Sequence, residues 1–237
     1  MISKNDVRKL FMNMDLSEEE AVYLEYHIDR FVYTTNIIQL FCNQFHPNRI
    51  LDIGPHFLTR CIKEFVKPDL SISTLGWINE RLAPSEGLYD EHIQFDLNDC
   101  DEGKVEFKHQ PFDLIVFAET IEHLYTSPSL VISFLKTLLK SERGGLLIQT
   151  PNAVALNKRI NMLMGINPYE LIRVERNNPG HFREYTMQEL LRYGLEQNLS
   201  VWRKEYCNYW ASTNKVFYFL EKAIPSFRKG ITLIFIT

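Results

Sequence analysis

Apolar positions change their spacing near residue 49. Before it, Tyr23, Ile28, Phe31, Ile37 and Phe41 recur with the period of a helix face. Ser17, followed three residues later by Glu20, supplies the reciprocal cap that starts such a helix. The predicted helix packs on a sheet. After residue 49 the apolar runs shorten, at residues 49–53, 70–75, 93–95, 112–117 and 146–149. Each is too short for a buried helix and is bounded by turn residues, which is how a buried strand reads. Helical runs are predicted at 58–65 and 129–140, and strands alternating with helices imply a parallel sheet covered on both faces. Further on, Thr186 and Glu189 open another capped helix through residue 197. Runs at 200–210 and 231–236, around a helix near 216–223, suit a closing antiparallel hairpin. The fold class is α/β.

Composition adds exclusions. At 237 residues with 45% hydrophobic content, the chain can bury one substantial core. A net charge of −4 announces no broad nucleic-acid surface. Cys42, Cys61, Cys100 and Cys207 form no CxxC pair and read as buried thiols in a reducing compartment. The first ten residues hold no apolar leader region, and no window approaches ~18 uncharged apolar residues. The expected location is cytoplasmic.

In a parallel sheet, ligand chemistry belongs at the C-terminal ends of the strands. There the chain places Asp52 and Gly54, then Gly76 and Trp77, then Asp96, then Ala118, Glu119, Glu122 and His123, then Thr150, Pro151 and Asn152. Acidic and small residues suit a ligand with hydroxyls, an amine and an adenine edge. A polyphosphate does not fit: no GxxxxGK[ST] is present, and Gly54 followed by Pro55 is not the GxGxxG that seats a dinucleotide.

The ordered set Leu51-Asp-Ile-Gly54, Phe112-Asp-Leu-Ile-Val, Glu119-Thr-Ile-Glu-His-Leu124 and Gly144-Gly-Leu-Leu-Ile-Gln-Thr-Pro-Asn152 resembles the successive motifs of class I S-adenosylmethionine-dependent methyltransferases. His181-Phe-Arg-Glu-Tyr-Thr186, with Glu189 and Gly194, is similar to the motif that follows the core in small-molecule members. The resemblance covers roughly residues 45–200. It implies a seven-stranded Rossmann-like sheet, mostly parallel with an antiparallel C-terminal hairpin. It divides one domain, 1–237, into a helical cap at 1–45, a cofactor core at 46–152, a lid or substrate segment at 153–185, and C-terminal helices and strands at 186–237.

The implied cofactor is S-adenosylmethionine. Asp52, Gly54, Pro55, His56 and Thr59 would hold its methionine part, Gly76 and Trp77 its ribose, Asp96 and Leu97 its adenine, and Ala118 with Glu119 the region near the methyl group. Asp52 and Asp96 also read as helix caps. Two positions depart from the family pattern. Pro55, His56 and Phe57 stand where further glycines are usual, and Gly76 stands where an acidic residue usually grips both ribose hydroxyls. Trp77, Asn79 and Glu80 are the neighbours able to compensate.

The sulfonium already activates the methyl, so the protein has to align an acceptor and take its proton. His181, Glu119 and His123 are the candidate groups for that task. No HxxxH or DxD spacing marks a metal site, and none is expected. Residues 153–179 mix apolar side chains with Arg159, Arg173 and Arg176, as a core helix or as a lid for an anionic acceptor. The implied function is methylation of a small-molecule hydroxyl, with a sugar or glycan first. The rival is a non-catalytic homologue serving as a binding or scaffold module. Expected partners are that acceptor and at most a second copy of the chain, without nucleic acid or stable membrane insertion.

Overall fold

A computed structural model describes residues 1–67, 69–76, 87–100, 109–174, 180–210 and 212–237. These fall into two compact units, 1–94 and 95–237.

The first unit holds α1 (Lys4–Phe11), α2 (Glu18–Phe45), β1 (Arg49–Ile53), α3 (Phe57–Phe65), β2 (Ser71–Gly76) and β3 (Glu91–Gln94). Its strands pair in parallel, with Leu51 opposite Ser73 and Thr74 opposite His92. Ser17 caps α2 reciprocally with Glu20, as its sequence predicts. Leu24, Ile28, Phe31, Ile38 and Phe41 form the buried stripe of α2, which packs on α1 and α3. The short α1 was not predicted. Its signal was a second capping box, Ser3 with Asp6, which the eight-residue span gave little periodicity to support.

The second unit holds β4 (Leu114–Ala118), α4 (Pro128–Leu138), β5 (Gly145–Pro151), α5 (Leu156–Leu163), α6 (Met187–Glu196), β6 (Ser200–Cys207), α7 (Lys215–Ala223) and β7 (Gly230–Ile236). β4 and β5 are parallel, and β7 runs antiparallel to both β5 and β6. Every residue of β5 is buried. Its Gln149 amide donates to Tyr209 Oη at 2.7 Å and Thr232 Oγ1 at 3.0 Å, so this buried polar group is satisfied from β7 and the segment after β6.

Strand order through the seven-stranded sheet is β3-β2-β1-β4-β5-β7-β6. This is the expected Rossmann-like methyltransferase sheet, mostly parallel and closed by an antiparallel pair. The run predicted at 93–95 begins earlier, at Glu91, and the run predicted at 112–117 begins later, at Leu114. Phe112 instead makes an isolated bridge to Leu139. Among the described residues, no helix is long and apolar enough to cross a membrane.

α6 lies on β7 through Gly194, where a Cβ would come within 2.1–2.6 Å of the Phe235 ring. Gly194→Ala is therefore expected to destabilise the protein by about 1–3 kcal/mol through overpacking, outweighing the roughly 1 kcal/mol that alanine gains in a helix. A lower urea midpoint with an unchanged m-value would show it. An unmoved midpoint would mean that α6 yields at no cost.

Candidate active site

In the first unit, β1 ends in a turn whose parts hold one another. Gly54 has φ 71°, and its N–H donates to the Leu75 carbonyl at 2.9 Å. Gly76 has φ 152°, and a Cβ there would sit 3.5 Å from Gly54 N and 3.7 Å from Pro55 Cδ. Space would admit a side chain at Gly76, but its backbone conformation favours glycine.

Asp52 is 2% exposed, and its Oδ2 accepts from the Thr59 hydroxyl at 2.6 Å. The Thr59 oxygen accepts in turn from the His56 N–H at 3.0 Å, which ties β1 to the start of α3. Burial pushes the Asp52 carboxyl up to about 7, against the Thr59 hydrogen bond and the positive charge of Arg30. Arg30, from α2, is buried, donates to Tyr23 Oη at 3.3 Å and lies 4.9 Å from the Phe31 ring centroid. The His56 ring packs edge-on against Tyr23 and Phe57, at centroid distances of 4.8 and 4.4 Å. Burial and Arg30 bring His56 down to about 4. His56 is therefore a neutral packing group in the place of a motif glycine.

In the second unit, Asp96 caps the turn Leu97–Asp99. Its Oδ1 accepts from the Asn98 N–H at 2.9 Å and the Asn98 amide at 3.0 Å. Asn98 Oδ1 accepts from Tyr125 N and Thr126 N, which fixes this turn to the segment after β4. Leu97 is buried. The cap reading of Asp96 is correct for Oδ1 alone.

β4 delivers Ala118 and then Glu119, whose φ of 52° is unusual for a residue with a side chain. Its N–H donates to Gln149 O at 2.7 Å, so the sheet itself holds the bend. A short turn, Ile121–His123, follows. Glu122 is 0% exposed, and its Oε2 accepts from the Thr150 hydroxyl at 2.9 Å. The Glu122 carbonyl accepts from Phe182 N at 2.8 Å and Arg183 N at 3.3 Å. That pairing brings His181 beside His123, with ring centroids 4.8 Å apart. His123 Nδ1 lies 2.9 Å from the Gly180 carbonyl and His181 Nδ1 lies 3.3 Å from Glu184 Oε1. Glu184 also pairs with Lys158 of α5. Burial, then the nearby His123, lower His181 to about 4.

The segment after β5 starts from a structural anchor. The Asn152 amide donates to the carbonyls of Ser226 and Arg228, and Asn152 N donates to Lys229 O. Thr150 and Asn152 thus hold other parts of the second unit. Arg228 donates to the carbonyls of Glu221, Tyr206 and Lys222, the work of a helix-end clamp. From the last residue of α5 onward, Leu163, Met164, Leu171, Ile172 and Val174 are exposed, while Arg173 pairs with Glu170 at 3.3 Å.

Within the first unit the structure brings together Asp52, Gly54, Pro55, His56, Thr59 and Gly76. Within the second it joins His123 to His181, places Glu119 at the bend of β4, and puts Asp96 and Leu97 in the turn tied to residues 125 and 126. Trp77, Asn79, Glu80 and Arg176 lie outside the described residues. The sequence reading placed Glu122 at the strand-end edge without assigning it a task, and it gave no site role to Lys158, Glu184 or Arg30. Glu122 and Glu184 stood in quoted motifs, but nothing in the local pattern linked Lys158 or Arg30 to a catalytic or cofactor site.

A family model described as a methyltransferase domain matches residues 25–204. No curated protein sequence matches the chain. Solved structures of similar fold include an S-adenosylmethionine-dependent methyltransferase from Archaeoglobus fulgidus, at 16% identity and TM-score 0.56, covering 91% of this chain and 98% of that one. Another is the magnesium protoporphyrin IX methyltransferase from Synechocystis with bound S-adenosylhomocysteine, at 11% identity and TM-score 0.55, covering 98% and 93%. A third, an S-adenosylmethionine-dependent methyltransferase from Clostridium acetobutylicum, has 13% identity and TM-score 0.53, covering 98% and 96%.

Proposed function

The chain belongs to the methyltransferase-domain family, and we propose that it moves the methyl group of S-adenosylmethionine to a hydroxyl of a small molecule, a sugar or glycan above all. The cofactor follows from the family and from fold relatives named for it, one with bound S-adenosylhomocysteine. The observation that carries the hydroxyl acceptor is the buried Glu122 carboxylate after β4 with the part-exposed His123 and His181 beside it. An alcohol oxygen attacks poorly until its proton is taken, and such a group is suited to that task. In the transfer, the acceptor oxygen bonds to the methyl carbon, the carbon–sulfur bond breaks, and its electron pair returns to sulfur. The released proton goes to an acceptor drawn from Glu119, His123 and His181.

Asp52, Gly54, Pro55, His56 and Thr59 are proposed for the methionine part of the cofactor, and Gly76 with Trp77 for the ribose. Asp96 and Leu97 are proposed for the adenine, and Ala118 and Glu119 for the region near the methyl group. The exposed apolar side chains at 163–174, with Arg173 among them and Arg159 one turn before, support an acceptor with apolar and anionic parts. Four buried free cysteines support a reducing, cytoplasmic setting.

The rival, a binding module without catalysis, draws support from Gly76, whose backbone leaves no ribose-gripping carboxylate at that position. Calorimetry separates the two. S-adenosylmethionine and S-adenosylhomocysteine are expected to bind at micromolar concentration, and no heat at high micromolar cofactor would remove the enzyme reading.

A further inference from the structure

We propose that Glu122, His123 and His181 hold one divalent transition-metal ion, and that the ion receives the acceptor hydroxyl. This second clause rests on the methyl-transfer reading; the ion site itself does not. Among the described residues, these three offer one ligand atom each within 4.8 Å of one another. All three lie in the second unit, on two segments bolted together by Phe182 N and Arg183 N donating to the Glu122 carbonyl.

The second contacts of the two imidazoles define the chemistry. A carbonyl can only accept, so His123 Nδ1, 2.9 Å from Gly180 O, carries the proton. The Glu184 carboxylate beside His181 Nδ1 selects the same tautomer. Each ring then presents the Nε2 lone pair. A backbone carbonyl or carboxylate behind each ligating histidine is the usual support of a metal site, because it fixes the ring and raises its basicity. Glu122 is held likewise, its Oε2 accepting from Thr150. Glu184 is neutralised on its other side by Lys158, so the pair contributes support with little added charge.

Two nitrogens and one carboxylate oxygen favour zinc, manganese or cobalt over magnesium, which prefers oxygen ligands and keeps its waters. The spread of up to 4.8 Å exceeds the roughly 3.5 Å between ligand atoms around a tetrahedral ion with bonds of about 2.1 Å. Binding therefore requires small side-chain rotations. Three protein ligands leave positions open, and a hydroxyl placed there would lose its proton more easily, as metal-bound water does. With His123 and His181 engaged as ligands, Glu119 is the remaining expected proton acceptor.

The test is calorimetry of the full chain with zinc, manganese and magnesium chlorides, without S-adenosylmethionine. One zinc or manganese ion per chain is expected to bind at micromolar concentration or tighter, with magnesium much weaker. His123→Ala and His181→Ala should each weaken binding at least about a hundredfold, and Glu184→Gln by roughly ten- to a hundredfold as a positioning residue. X-ray absorption on the zinc-loaded natural protein should show two imidazoles and a carboxylate, a result independent of whether the variants fold. No binding by the natural protein, or binding unchanged in both histidine variants, would overturn the site; Lys158 would then be the cation that serves these carboxylates. Cofactor binding without ion binding would end this inference and leave methyl transfer standing. Ion binding without cofactor binding would do the reverse.

Discussion

Asp52→Asn is expected to raise the thermal midpoint at pH 8 by about 5–10 °C, and by less at pH 5. The native Asp52 carboxyl keeps its proton to about pH 7, whereas an unfolded one releases it near the ordinary 3.8. Between these values the native state holds more protons than the unfolded state, so stability falls as pH rises. A gap of about three units at about 1.36 kcal/mol each sets an upper bound near 4 kcal/mol. Asparagine removes the buried charge but keeps an oxygen for the Thr59 hydroxyl, so about 2–4 kcal/mol is the expected gain at pH 8.

His27 and His56 act in the opposite sense in the same unit. Burial first, then Arg30, lower them to about 3 and about 4, so the native state refuses protons that the unfolded state takes near 6.5. Their contribution is present above pH 6.5 and fades as pH falls toward 4. In the natural protein the two slopes oppose each other between pH 4 and 6.5. Asp52→Asn removes one of them, so the variant's stability should climb more steeply across that window. Parallel curves for the two proteins would mean that the Asp52 carboxylate carries no such penalty. A protein that keeps a charge of this cost is expected to use it, so the same variant should bind S-adenosylmethionine more weakly.

Asp96→Asn is expected to weaken cofactor binding and spare the fold. Its Oδ1 already serves the cap, accepting from Asn98 N and the Asn98 amide. The proposed adenine contact therefore falls to Oδ2. Asp96→Asn can keep the cap through its own amide oxygen while placing an amide nitrogen where the adenine amine would donate. One charge-assisted hydrogen bond at about 1.5–3 kcal/mol corresponds to a loss of roughly ten- to a hundredfold in affinity. Asp96→Ala loses both functions and should weaken binding further. Calorimetry for the cofactor and circular dichroism for the fold read these separately. Unchanged affinity in Asp96→Asn would refute the adenine role.

The architecture was legible because its signals are local. β1 runs from Arg49 to Ile53 as the apolar run does, and α2 and α6 start at the capping pairs Ser17 with Glu20 and Thr186 with Glu189. Where local signals conflicted, boundaries moved. Phe112 looks like strand but bridges Leu139 before β4 begins, and Gly145–Pro151 extends past its apolar part because β7 pairs along all of it. No local pattern announced that the Arg228 guanidinium donates to three backbone carbonyls.

By itself, the order of apolar runs, caps and turn residues determined an α/β fold with a mostly parallel sheet and the strand ends where chemistry would gather, and the resemblance of its motifs added the methyltransferase type. Apolar period and capping act over a few residues, so they survive in a string of letters. Only the tertiary structure decided how those ends are equipped. It set His181 beside His123 through hydrogen bonds to the Glu122 carbonyl, gave each imidazole a partner at Nδ1, and buried Asp52 until its carboxyl was pushed up to about 7. Those properties depend on desolvation and on contacts between residues distant in the chain, and no short-range pattern encodes either.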